Sequence, residues 1–126
     1  MSTILIVEDN EKNMKLVRDI LRHQGHHTLE AMTGEEGVRL AREHRPDLVL
    51  MDIQLPDIDG ITALRLIRED AALNAMPVLA VSASVMPDEQ NKIVASGFDA
   101  YITKPIVLKA FLASVQTFLA RGRQRP

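Results

Sequence analysis

Five short runs of strand-forming residues alternate along the chain with five segments whose apolar residues recur at helical spacing. Four of the runs are mostly apolar, as strands buried on both faces of a sheet are, whereas the second is more polar and is predicted to be an edge strand. Alternating strands and helices with short connections predict right-handed βαβ units. The predicted strands are Ile4–Val7, His27–Ala31, Leu48–Met51, Pro77–Ser82 and Asp99–Thr103.

We therefore expect an α/β fold with a five-stranded parallel sheet and helices on both faces. Two strand orders fit this pattern, the flavodoxin-like order 2-1-3-4-5 and a half-Rossmann arrangement. Because no GxGxxG sequence follows the first strand, the pattern argues against a dinucleotide site.

Local signals predict where the helices begin and end. Asn10 is a candidate cap for the first helix, and Gly25 is placed to end it. Thr33 and Glu36 have the spacing of a capping box at the start of the second helix. Gly97 is placed to close the fourth. These signals predict short connections between the helices and the neighbouring strands.

Composition limits what a chain of 126 residues can be. A length typical of one domain and 46% hydrophobic residues predict a single core, with one domain over residues 1–121 and a short flexible basic tail over 122–126. The net charge of -2 argues against bulk attraction to nucleic acid, and the lack of cysteine excludes a disulfide or a zinc–thiolate site. With no signal peptide and no apolar run of membrane-spanning length, we expect a cytoplasmic protein without membrane insertion.

Polar side chains follow four of the predicted strands at the point where each strand ends. The carboxyl ends of parallel strands face one crevice, where open α/β sheets bind their ligands. Three carboxylates brought together there repel one another and need a cation. Oxygen ligands without His or Cys select a hard ion, Mg²⁺ with Mn²⁺ as a substitute. The residues delivered to this edge are Glu8, Asp9, Asp52, Ser82 and Lys104.

The same residue types suit phosphoryl transfer. The carboxylate of Asp52 can form an acyl phosphate, as in aspartyl-phosphate enzymes. Lys104 supplies a point charge and Ser82 a hydroxyl donor for phosphoryl oxygens, while the backbone carbonyl of Gln54 is a further candidate metal ligand. Each residue alone has an ordinary explanation, as a turn former, a solvated charge or a helix cap. Their joint arrival at one edge favours a functional site.

These motifs resemble the receiver domains of two-component response regulators, the CheY-like family. The resemblance covers almost the whole chain, and among family members it is strongest to single-domain regulators of bacterial cell-cycle and polarity signalling. The similar stretches are Ile4–Asn10, Leu50–Pro56 with Asp59 and Gly60, Ser82 with Ala83, and Tyr101 with Lys104 and Pro105.

The resemblance implies a role for each site residue. Asp52 would be the phosphoacceptor, Asp9 a direct Mg²⁺ ligand and Glu8 a ligand through water. Ser82 would be the switch hydroxyl and Lys104 the phosphate-binding lysine. Tyr101 would be the aromatic residue that turns inward on activation, and the peptide bond between Lys104 and Pro105 would be cis. Such a domain assists its own phosphorylation and dephosphorylation rather than acting as an enzyme on other substrates.

The resemblance also implies partners. A phosphohistidine on a histidine kinase or a histidine phosphotransfer protein would be the donor, and a protein target would bind the face made by the fourth helix, fifth strand and fifth helix. Other interpretations are a receiver cut from a hybrid kinase, a phosphate-independent scaffold, an aspartate-dependent phosphatase of the haloacid-dehalogenase kind and a flavodoxin-like electron carrier. The acidic turn after the first strand argues against the phosphate of FMN. His23, His26, His27 and His44 are predicted to be surface residues.

Overall fold

The computed structural model describes residues 2–83 and 86–122 of the chain. Within these ranges five strands and five α-helices alternate, and the strands form one parallel sheet in the order β2-β1-β3-β4-β5. This confirms the flavodoxin-like order and excludes the half-Rossmann one. The elements are β1 (Thr3–Val7), α1 (Glu11–His23), β2 (His27–Ala31), α2 (Gly34–His44), β3 (Leu48–Asp52), α3 (Gly60–Arg68), β4 (Val78–Ser82), α4 (Pro87–Ala95), β5 (Ala100–Thr103) and α5 (Leu108–Arg121), with a 3₁₀ turn at Ala71–Leu73.

The sheet is buried on both faces, which explains why β1 is apolar from Ile4 to Val7 and β3 from Leu48 to Met51. Ile4 and Leu48 face α1 and α5, whereas Leu5 and Val49 face α2, α3 and α4. Successive side chains of a strand point to opposite faces, so two helix layers require apolar residues at odd and even positions alike. As predicted, β2 is an edge strand.

The predicted helix signals are present, with one difference in detail. The side chain of Asn10 accepts hydrogen bonds from the N–H groups of Lys12 and Asn13, and the Thr33 hydroxyl accepts one from Glu36. The Glu36 carboxylate, however, accepts from the Met32 N–H at 2.9 Å. A capping box would return this bond to Thr33. Glu36 therefore fixes the entry of the chain into α2 one residue earlier than expected.

One of the four histidines is more enclosed than predicted. His26 is half-buried and its Nδ1 is enclosed, so it is not a surface residue, while the other three histidines are exposed. Burial is the main reason that the pKa of His26 lies below its ordinary value.

No helix in the described ranges has the length and apolarity needed to cross a membrane. Residues 123–126 of the predicted tail lie outside the described ranges.

The start of α3 lies very close to the end of β3. A Cβ atom at Gly60 would lie 2.6 Å from the backbone oxygen of Asp52 and 2.9 Å from the Cα of Ile53. The Gly60 N–H also donates to the Ile53 carbonyl at 2.9 Å. Only glycine permits this approach, and it holds the loop after Asp52 in a tight turn.

We expect Gly60→Ala to lower the free energy of unfolding by about 2 to 3 kcal/mol, because the new methyl group would meet backbone atoms of Asp52 and Ile53, which cannot move aside as a flexible side chain can. Gly25→Ala is the matched control: Gly25 has a φ of 90° but no atom near its Cβ position, so only backbone strain of about 1 kcal/mol is expected. Urea unfolding measures both. An equal or smaller loss in Gly60→Ala would contradict the close approach.

A second prediction concerns Asp59, whose side chain caps α3 by accepting from the Thr62 N–H at 2.7 Å. This bond, with one from the Thr62 hydroxyl, lowers the pKa of Asp59. A carboxyl whose folded pKa is lowered stabilises the fold above its unfolded pKa and loses that contribution as the pH falls through the folded value. Asp59→Ala should cost about 1 kcal/mol at neutral pH, and this difference should shrink below about pH 4.

Thr33→Ala removes the cap of α2 without removing a titratable group, so its cost should stay constant over the same range. Unfolding curves from pH 7 to pH 3 provide the measurement. A cost for Asp59→Ala that does not change with pH would show that the charge of the cap contributes nothing.

Candidate functional site

Strand register brings the predicted site residues to one edge of the sheet. Val7 pairs with Met51, so the next residues, Glu8 and Asp52, are neighbours at the ends of β1 and β3. On the other side of β3, Asp52 pairs with Val81, the residue before Ser82. Because Ser82 pairs in turn with Thr103, Lys104 emerges at the same edge from the end of β5. The parallel ladder therefore collects side chains from four strands.

Three carboxylates meet at this edge. One ligand atom from each of Glu8, Asp9 and Asp52 lies within 4.8 Å of the other two. Glu8 and Asp52 are each only 5% exposed, whereas Asp9 is exposed. The cluster thus has a buried side formed by two acids and an open side formed by the third.

The ammonium group of Lys104 lies between the two buried acids. Its Nζ is 2.8 Å from Oδ2 of Asp52 and 2.9 Å from Oε1 of Glu8. An uncompensated buried carboxylate is costly, and two of them repel each other as well. Lys104 compensates both charges at once, which places its side chain at the centre of the site.

The pKa values of this group reflect burial and mutual contact. Burial is the main cause that raises the pKa of Glu8, and the neighbouring Asp52 raises it further against the opposing hydrogen bond from Lys104. For Lys104, burial by itself would lower the pKa, but the hydrogen bonds to Asp52 and Glu8 outweigh it and raise the pKa above its ordinary value. The lysine is therefore a fixed positive charge at neutral pH.

Backbone amides hold the oxygen atoms that Lys104 does not contact. Oδ1 of Asp52 accepts a hydrogen bond from the Gln54 N–H at 3.0 Å. In the same way, Oε2 of Glu8 accepts one from the Asn10 N–H at 3.1 Å. Each buried acid thus has one oxygen on the ammonium group and the other on an amide two residues later in the chain. This pattern fixes the orientation of both carboxylates.

The remaining predicted residues lie in or just after β3, β4 and β5. Ser82 ends β4 and is 7% exposed, and its carbonyl accepts from the Lys104 N–H at 2.9 Å. Tyr101 is half-buried on β5 and packs against the core on the α3 and α4 side. The peptide bond between Lys104 and Pro105 is cis. Gln54 is placed beside Asp52 by its amide.

Tyr101 also borders a cavity of about 130 Å³ between β5 and α5. The other lining residues are Ile102, Thr103, Val107, Ala110, Phe111 and Ser114.

Sequence reasoning missed three contacts that build the site. Asn10 was predicted only as a helix cap, yet its amide also holds Glu8. The carbonyl of Ala31, at the end of β2, accepts from the Glu8 N–H at 2.9 Å. Gly60 was noted only among the residues that resemble the family, but its close approach fixes the turn after Asp52. A glycine directly after an acidic turn residue is a usable signal of close backbone approach, whereas the backbone contact of Ala31 has no side-chain signature.

The donor set fits a hard divalent cation. All three acids offer oxygen atoms, and the exposed Asp9 leaves one side of the cluster open to water. Mg²⁺ prefers oxygen ligands and retains several waters in such partly open sites. The buried pair alone would be crowded by Lys104, so the open side near Asp9 is where a cation has room.

Comparison with known proteins agrees with this geometry. The response regulator receiver domain matches residues 4–116. The polar-differentiation response regulator DivK of Brucella anthropi is 44% identical over 117 residues, covering 93% of this chain and 95% of its own. DivK of Brucella ovis is 43% identical over the same shares of both chains. These matches extend over nearly the whole of both proteins.

Solved structures show the same architecture. The receiver domain of a sensor histidine kinase from Pseudomonas aeruginosa, crystallised with a magnesium ion coordinated in its active-site cleft, has a TM-score of 0.88 at 29% identity and covers 94% of this chain and 98% of its own. A CheY-like receiver domain protein from Methanospirillum hungatei has a TM-score of 0.86 at 27% identity, with 95% and 94% covered. The chain therefore belongs to the family of response regulator receiver domains.

Proposed function

We propose that Asp52 accepts a phosphoryl group from a phosphohistidine on a histidine kinase or a histidine phosphotransfer protein. The observation that carries this proposal is the environment of Asp52: a carboxylate at the carboxyl end of the central strand, with the Lys104 ammonium at 2.8 Å and two further acids beside it. A carboxylate oxygen attacks the phosphorus atom, and the bond from phosphorus to the histidine nitrogen breaks. The imidazole leaves with the bonding electron pair.

The residues have distinct tasks in this transfer. Oδ1 of Asp52 is held by the Gln54 amide, and Oδ2 by Lys104, so the carboxylate is oriented before the donor arrives. Lys104 neutralises charge on the transferred phosphoryl group, and the Ser82 hydroxyl donates to one of its oxygens. Positioning and charge compensation are what phosphoryl transfer mainly requires from a protein.

The cation that completes the site is Mg²⁺, with Mn²⁺ as a substitute. Asp9, Asp52 and the Gln54 carbonyl would hold it directly, and Glu8 through water. When bound, the ion neutralises negative charge on the phosphoryl oxygens. The clustered acids and the magnesium ion in the Pseudomonas aeruginosa relative support this assignment.

Phosphorylation would be read by other proteins through the face formed by α4, β5 and α5. Phosphorylated Asp52 carries roughly 1.5 to 2 negative charges at pH 7, against one for the free carboxylate, and offers new acceptor oxygens, which draw Ser82 and Lys104 toward the phosphoryl group. Tyr101 then turns inward, and the equilibrium between two forms of this face shifts. Exposed apolar side chains on the face offer contact area to a target; they include Met86, Val94 and Val107.

The identity with DivK proteins supports a role in cell-cycle and polarity control in the cytoplasm. The protein acts there as a phosphoacceptor that promotes its own phosphorylation and dephosphorylation. A phosphate-independent scaffold would not need a buried lysine held between two acids. The DivK matches extend over nearly the whole of both chains at higher identity than the receiver of the sensor kinase, which favours a single-domain regulator over a hybrid-kinase receiver.

Asp52→Asn tests the phosphoacceptor directly. The amide is not a nucleophile for this reaction, so incorporation of labelled phosphate from acetyl phosphate with Mg²⁺ should fall at least about 100-fold. Asp70→Asn is the matched control, since Asp70 caps the 3₁₀ turn through the Ala72 N–H, before β4 begins at the amino edge of the sheet. Wild-type labelling of the Asp52→Asn protein would contradict the assignment.

Lys104→Met tests charge compensation by measuring stability with and without the cation. The variant leaves Glu8 and Asp52 without their shared partner, so the free energy of unfolding without Mg²⁺ should fall by about 3 kcal/mol. Because Mg²⁺ supplies replacement positive charge, it should stabilise the variant more than the wild type. Urea unfolding of both proteins, without Mg²⁺ and with about 10 mM Mg²⁺, measures the loss of stability and the stabilisation by the ion.

Lys15→Met is the control, because Lys15 pairs with Asp19 on the exposed surface of α1, where loss of an ion pair should leave stability close to that of the wild type. Equal stabilisation of the wild type and the Lys104→Met protein by Mg²⁺ would contradict the proposed compensation.

A further inference from the structure

The loop that follows Asp52 is tied to the start of α2 by Asp57. Oδ1 of Asp57 accepts a hydrogen bond from the Gly34 N–H at 2.8 Å, and Oδ2 accepts one from the Glu35 N–H at 2.9 Å. Both oxygens of the carboxylate are therefore used on one helix turn. The partners are 23 and 22 residues away in sequence, so this is a contact between separate elements.

Asp57 accepts two hydrogen bonds from N–H groups that have no partner within α2. The first N–H groups of a helix have no carbonyl one turn earlier to bond to. The Glu36 N–H donates to the Thr33 hydroxyl, while the Gly37 N–H makes the first regular helical bond, to the Thr33 carbonyl. Gly34 and Glu35 depend on Asp57.

The charge of Asp57 suits this position. Its slight burial raises the pKa, but the hydrogen bonds from the Glu35 and Gly34 amides lower it overall, so the carboxylate is ionised at neutral pH. A negative charge at the positive end of the helix dipole is stabilising. The contact of Asp57 with the first turn of α2 thus consists of charge-assisted hydrogen bonds.

A second contact between the same two elements involves Ile58. A Cβ atom at Gly34 would lie 2.5 Å from Cγ1 of Ile58 and 3.3 Å from the Ile58 backbone oxygen. The loop therefore lies directly on α2, and a side chain at position 34 would push it away. The hydrogen bonds of Asp57 and the close packing of Ile58 on Gly34 therefore hold the loop in the same position.

The rest of this loop is connected to the phosphoacceptor. The Gln54 N–H donates to Asp52, the Ile53 N–H donates to the Val81 carbonyl at 3.2 Å, and the Gly60 N–H donates to the Ile53 carbonyl. These bonds fix the two ends of the loop, while Asp57 and Ile58 fix its middle on α2. The backbone of Gln54 lies between these anchors.

We propose that Asp57 is a positioning residue that holds the loop of residues 53–59 in its cation-binding form by anchoring it to the first turn of α2. The inference rests on the proposed function, since the Gln54 carbonyl is a ligand only if the site binds Mg²⁺. When a site is formed in only a fraction of molecules, the apparent dissociation constant rises by the inverse of that fraction. The Asp57 anchor keeps this fraction close to one.

Asp57→Ala should therefore raise the Mg²⁺ dissociation constant about three- to ten-fold, the population shift expected when a capping contact is lost. Asp57→Asn keeps one carbonyl oxygen but loses the charge, so its dissociation constant should lie between those of Asp57→Ala and the wild type. The phosphorylation rate at saturating Mg²⁺ should stay within about two-fold of the wild type, because Asp57 touches none of the reacting groups. Titrating ¹⁵N-labelled protein with Mg²⁺ by NMR, together with acetyl phosphate labelling, separates these quantities.

Gly34→Ala disturbs the same contact from the other side while leaving Asp57 in place. Alanine favours helix more than glycine does, so weaker Mg²⁺ binding in this variant would come from the displaced loop rather than from a weakened α2. Asp70→Ala is the matched control, because it removes another aspartate cap at the opposite edge of the sheet. Its Mg²⁺ affinity should equal that of the wild type.

Raised dissociation constants in Asp57→Ala and Gly34→Ala, with Asp70→Ala unchanged, support the proposal. Should Asp57→Ala fail to fold, the Asp57→Asn and Gly34→Ala proteins decide in its place. Wild-type Mg²⁺ affinity in the folded Asp57 and Gly34 variants would overturn the positioning role and leave the proposed function standing. Failure of the wild-type protein to bind Mg²⁺ or to accept phosphate would overturn both.

Discussion

The interaction on which the rest of this structure depends is the contact of one ammonium group with two nearly buried carboxylates. Lys104 lies 2.8 Å from Asp52 and 2.9 Å from Glu8, at the end of a sheet whose interior is apolar. Without the lysine, two like charges would share a poorly solvated edge, at a cost of about 3 to 5 kcal/mol for the broken pair. In the proposed function, a cation and a phosphoryl group would therefore rearrange charges that Lys104 already compensates.

The parallel sheet makes this arrangement possible with few residues. Four of the five strands contribute the residue at or just after their carboxyl ends, and register places Glu8, Asp52, Ser82 and Lys104 at one edge. The backbone then orients the side chains, through the amides of Asn10 and Gln54. The core is not interrupted by any of these groups, because the residues before them, Ile4–Val7 in β1 and Leu48–Met51 in β3, are all apolar. The site residues thus lie at the carboxyl ends of the strands, and the residues before them pack in the core.

Much of this could be predicted from the sequence because the determining signals are local. Apolar runs, helix caps and the acidic strand end at Asp52 each depend on a few neighbouring residues, and topology rules convert them into a shared edge. The contact of Asp57 with Gly34 could not be predicted, since it joins residues 23 positions apart and depends on how a loop lies on a helix. The half-buried His26 was mispredicted for a related reason: its polar ring gives no sign of the packing around it.

The central claim is that Asp52 is a reversible charge switch, and the most direct test locates the phosphoryl group chemically. Protein treated with acetyl phosphate and Mg²⁺ is reduced with borohydride, which converts an aspartyl phosphate to homoserine, and is then mapped by mass spectrometry. We predict homoserine at position 52, formed only when Mg²⁺ is present during phosphorylation. Homoserine at another aspartate, or none under conditions in which the folded protein binds Mg²⁺, would contradict the account.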